Sequence, residues 1–94
     1  VKTRGRETPS REEAAILALA ALVFLARDAA KLSRFLDLTG ATIDRLKAEA
    51  HTSAAQAAIL DHLLADESLL LAFTANAGLT PGVIAQARAA LDAP

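Results

Sequence analysis

From Ala14 to Ala26 the chain runs through thirteen apolar residues without a polar interruption, and beyond it apolar positions return in short bursts at helical spacing. A helix that is apolar nearly all round belongs in the middle of others. The run therefore predicts a central first helix over Arg11–Ala26, opened by the S-x-x-E capping box of Ser10 and Glu13. Asp28 is the expected N-cap of a second helix that ends at Gly40, and Thr42 that of a third, over Ile43–His51. Ser53, with Gln56 three residues on, predicts a second capping box and a fourth helix over Ala54–Ala65. Asp66 is expected to cap a fifth helix ending at Gly78, and Thr80-Pro81 to open a sixth. The prediction is an all-α, compact bundle of six short helices, with no strand signal.

The punctuation of this pattern repeats. At an offset of 38 residues, Asp28, Phe35, Gly40 and Thr42 meet Asp66, Phe73, Gly78 and Thr80. Each type has a physical role, as N-cap, core anchor, C-cap and N-cap in turn. The echo predicts two related three-helix units, about residues 11–51 and 53–92, inside a single all-helical domain over residues 10–94. Residues 1–9 are polar and basic and are expected to form a disordered arm.

Composition narrows the chemistry. Apolar residues make up 53% of the chain, but aromatics only 3%. Small and medium side chains suit close-packed helices better than a sheet. No cysteine is present, so disulfides and Cys-based zinc sites are excluded, and a cytoplasmic setting is expected. Lys2, Arg4 and Arg6 ahead of the apolar run outline a secretory signal. Glu12 and Glu13 and the capping box instead point to a folded helix, and the run is short for a membrane span.

Candidate reactive groups are few. His62 with Asp61, Asp66 and Glu67 is the densest set of potential metal ligands. Adjacent residues 61 and 62 point about 100° apart on a helix, and Asp66 is accounted for as a cap. His51 stands alone. There is no glycine-rich phosphate loop and no nucleophile elbow, so neither an enzyme nor a bound cofactor is expected.

"RFLDLTG" at residues 34–40 and "LLADESLLLAFTANAGL" at residues 63–79 resemble a family of short, all-helical bacterial proteins known only as a domain of unknown function. The most specific part is the D-E-x-L-L-x-x-F-x(4)-G pattern from Asp66 to Gly78. The family pattern would place a larger apolar residue where this chain has Ala41. The resemblance implies a helical fold and a bacterial, cytoplasmic setting, and it brings no reaction or ligand.

Two charge and hydropathy features bear on partners. The fifth helix carries leucine on more than one face, and Leu71 lies off its main apolar stripe. Beyond Thr52 four acidic residues face one basic residue, Arg88. The expected function is a protein–protein contact, with an unknown partner or as a homo-oligomer. Leu71 forms its centre and Asp66, Glu67 and Asp92 its rim. The alternative is weak nucleic-acid binding by Arg34, Arg45 and Lys47 in the basic half, although Asp44 and Glu49 offset them. A third reading is a small-molecule carrier with a pocket between the two units.

Overall fold

The computed structural model describes residues 8–92. The basic arm expected over residues 1–9 falls mostly outside them. Among the described residues there are six helices and no strand: α1 (Arg11–Ala26), α2 (Ala29–Thr39), α3 (Ile43–Glu49), α4 (Ser53–Leu64), α5 (Glu67–Ala77) and α6 (Pro81–Asp92).

Most helix ends are those that the sequence announces. Ser10 Oγ accepts from the Glu13 N–H at 3.0 Å, and Glu13 Oε1 accepts from the Ser10 N–H at 2.7 Å. Asp28 accepts from the N–H groups of Ala30 and Lys31, and its carboxylate also pairs with Lys31 Nζ at 3.1 Å. The Lys31 hydrogen bond holds the Asp28 carboxyl below its ordinary pKa. Asp66 Oδ1 accepts from the Leu69 N–H. Gly40 and Gly78 take φ of 73° and 71°, the left-handed conformation that lets a helix end in one residue.

The start of α4 differs from expectation. Thr52, not Ser53, is the N-cap, and Ser53 is the first helical residue. The Thr52 hydroxyl accepts from the Ala55 N–H at 3.2 Å and donates to the Glu49 carbonyl at 2.7 Å. One side chain thereby closes α3 and opens α4, which Ser53 could not do from one position later. Gln56 then falls too far along to complete a box. It is buried instead, and its Nε2 donates to the Ala50 carbonyl. The same turn ends α3 at Glu49, short of the expected His51.

Packing centres on α1, α4 and α6, which lie against one another; α2 rests on α1 and α5 on α4. Ala14, Ala18 and Ala21 form a fully buried line along α1 that continues to Leu25. Alanines there let the neighbouring helices approach closely. Ile59, Leu60 and Leu63 of α4 and Ile84, Ala87 and Leu91 of α6 complete the centre. Phe35 of α2 and Phe73 of α5 are both buried. Phe24 meets Phe73 edge-on at 5.5 Å between ring centroids, and His62 meets Phe35 likewise at 5.0 Å. Residues 24 and 62 are 38 apart, as are 35 and 73, so the two ring contacts exchange under the sequence offset. The third helices of the two halves differ. Three residues of α6 are buried and none of α3 is.

Candidate functional site

One side of α1 faces solvent. Ile16, Leu19 and Val23 are 65%, 42% and 52% exposed, which corrects the expectation that this helix is surrounded. Hydropathy alone could not separate the two sides, because both are apolar. The distinction comes from packing: α4 and α6 cover the alanine line, whereas positions 16, 19 and 23 fall on the opposite side. At 100° per residue, residues 12, 16, 19, 20, 23 and 27 lie within about 100° of arc, centred roughly 180° from the buried line. All six are exposed. Isolated exposed apolar residues are ordinary on a protein surface, but three large ones in a row on one helix are not.

The other central helix, α4, carries no large exposed aliphatic at the positions offset by 38 residues. Thirty-eight residues on, the inward positions Ala18, Ala21 and Leu25 correspond to Gln56, Ile59 and Leu63 of α4, and all six are buried. At the same offset Ile16, Leu19 and Val23 meet Ala54, Ala57 and Asp61, of which Ala54 and Asp61 are exposed and Ala57 packs against the core. Where α1 shows large aliphatic groups to solvent, α4 has alanine and aspartate.

The residues singled out on α5 and α6 sit as follows. Leu71 is 48% exposed and points away from Leu69 and Phe73, which enter the core. Glu67 is exposed one turn before it. Asp66 is half-buried and engaged as the α5 cap. Asp92 lies 3.0 Å from Arg88 Nη1, and the same guanidinium donates through Nε to Asp61 at 2.7 Å. The acidic character expected of this end is thus partly neutralised by its one base. A single large aliphatic, Leu71, remains on that face of α5, one turn before the exposed Ala75.

Of the basic candidates, Arg45 pairs with Glu49 on α3 at 3.4 Å, and Lys47 lies along a small apolar groove beside Ile43 and Leu46. Arg34 is exposed near His62. The His62 ring is 8% exposed, and its Nε2 is buried without a hydrogen-bond partner. Burial pushes its pKa down, with Arg34 adding to the fall and Asp66 opposing it. Burial thus favours the neutral imidazole, which packs edge-on against the Phe35 ring. Asp61, its chain neighbour, turns outward to Arg88. Among the described residues no three His, Cys, Asp or Glu side chains are grouped to hold a metal ion.

Among the described residues, three clefts of about 210, 290 and 200 Å³ open at the surface. The second separates α2 from α4 and α5, the place where a pocket between the two halves was expected. All three fall below the roughly 300–1,000 Å³ common for ligand sites. Among the described residues no single helix is long and apolar enough to cross a membrane.

No curated protein and no solved structure matched this chain. A family model did match, over residues 11–94, which takes in every helix described above and the whole of the outward α1 face. The chain belongs to the DUF3572 family, proteins of unknown function.

Proposed function

We propose that the protein is a non-enzymatic protein–protein interaction module whose contact face is the outer side of α1. One observation carries this reading: Ile16, Leu19 and Val23 stand in line in solvent, directly opposite the buried alanine line. Covering them with a partner removes apolar surface from water, at about 25 cal/mol per Å². The face has the composition of a contact, with an aliphatic centre and charged ends at Glu12 and Arg27. Leu71 fits a lesser, peripheral contact, since it is the one large aliphatic exposed on its side of α5.

The halves of the molecule are further read as copies of one three-helix unit. The paired left-handed glycines and the exchanging ring contacts Phe24–Phe73 and His62–Phe35 support this. On that reading α1 and α4 began alike, and the outward face of α1 is what sets them apart.

The test places a photo-crosslinking residue at Leu19 and, separately, at Leu71, in the cells that make the protein. Crosslinks to protein from position 19, and fewer from 71, are expected. Crosslinks from neither position would remove the interaction reading.

A further inference from the structure

Resting on that reading, we propose that the occupant of the α1 face is a second copy of this chain, docked with its own α1 antiparallel to the first. The face is self-complementary about its midpoint. Reversing α1 about the point between Leu19 and Ala20 places Glu12 opposite Arg27, Ile16 opposite Val23, and Leu19 opposite Ala20. An antiparallel two-fold pair makes each of these contacts twice, as an isologous interface must.

The chemistry of each pairing is favourable. Leu19 of one copy covers Ala20 of the other, a large residue set on a small one, which lets two helices close without a void. Ile16 and Val23 extend the apolar seam on either side. Glu12 and Arg27 are exposed, and neither has an ion-pair partner among the described residues. They stand about 22 Å apart along the helix axis, at 1.5 Å per residue. In the antiparallel pair each end of the seam joins a glutamate to an arginine. A parallel pair would instead set Glu12 on Glu12 and Arg27 on Arg27. The charges therefore select both the partner and its direction.

The contact is small. A seam built on one sixteen-residue helix falls below the roughly 1,200–2,000 Å² of stable complexes, so half-association is expected on the order of 100 µM. Sedimentation equilibrium of the full chain, from about 10 µM to about 1 mM, brackets this value. A monomer–dimer equilibrium is expected, and a monomer throughout would overturn the proposal. Leu19→Glu should abolish the dimer with helical circular dichroism and melting retained, whereas Leu71→Glu should leave the dimer unchanged. An intact dimer in Leu19→Glu would also overturn it.

The charge variants decide the geometry, including the case in which Leu19→Glu fails to fold. Glu12→Arg and Arg27→Glu should each weaken the dimer roughly tenfold, because two attractions become two repulsions. The double variant restores opposite charges at both ends and should return to within about twofold of the natural chain. Singles without effect, or a double variant as weak as the singles, would rule out the antiparallel seam. A strict monomer whose Leu19 photo-crosslinker captures a different protein would sink the second copy and leave the interaction reading standing.

Discussion

Helices α1 and α4 both pack at the centre of the bundle, 38 residues apart in sequence register, and they differ in one respect that matters. Both turn matched positions inward: Ala21 with Ile59, and Leu25 with Leu63, are fully buried. Outward, α1 presents Ile16, Leu19 and Val23; at the same offset α4 has exposed Ala54 and Asp61, whereas Ala57 packs against the core. Burial of the inward set is what the fold demands of a central helix. The exposed positions of α4 at the same offset, Ala54 and Asp61, are small or charged. On the proposed reading, the large aliphatic groups exposed at the matched positions of α1 serve a contact outside the folded monomer.

The inward positions give the largest expected effects. Leu25→Ala and Leu63→Ala should each destabilise by about 2–5 kcal/mol in urea unfolding, since both side chains are fully buried. Clearly unequal losses would mean that the two helices do not carry equivalent cores. Next come the glycines. A Cβ at Gly40 or Gly78 would meet nothing within 4 Å, so the cost of Gly→Ala is set by the left-handed backbone alone. About 1 kcal/mol is expected at each. A large difference between them would weaken the correspondence of the halves.

His62 sharpens the comparison through pH, since α1 carries Phe24 at the matched position. Burial lowers the folded-state pKa of His62, so on acidification the unfolded chain takes up the proton first. Stability should be undiminished above the ordinary histidine value of 6.5 and should decline as pH falls below it toward the depressed folded value. His62→Phe should flatten that decline in urea titrations. An unaltered pH profile would show that His62 is not held neutral by its surroundings. The smallest effect on stability belongs to the outward face. Val23→Ser should change it by no more than about 0.5 kcal/mol, because half of that side chain is already in water.

Much of the fold was legible in local chemistry. Asp28, Thr42, Asp66 and the two left-handed glycines mark helix ends by hydrogen bonds and backbone conformation that involve only neighbouring residues. Thr52 shows where that reading stops. Its hydroxyl serves two helices at once, and the Ser53–Gln56 spacing imitates a capping box that does not form. The candidate site was harder to see. Leu71 stands out in the sequence because it interrupts a stripe, whereas Ile16, Leu19 and Val23 are hidden within an unbroken apolar run. Which side of α1 is covered depends on α4 and α6, residues far along the chain. One sequence signal was available: the 38-residue offset sets the outward aliphatics of α1 against Ala54, Ala57 and Asp61.

The claim that the outer face of α1 docks a second copy of the chain is tested most directly by one matched pair of variants. Ile16→Glu and Ala54→Glu place the same charge at corresponding exposed positions of the two helices. Their dimerisation should be compared with that of the natural chain by sedimentation equilibrium. The account predicts a dimer that Ile16→Glu dissociates and Ala54→Glu leaves intact, because a charge inside the apolar seam must shed its water. Equal behaviour of the two variants would contradict it.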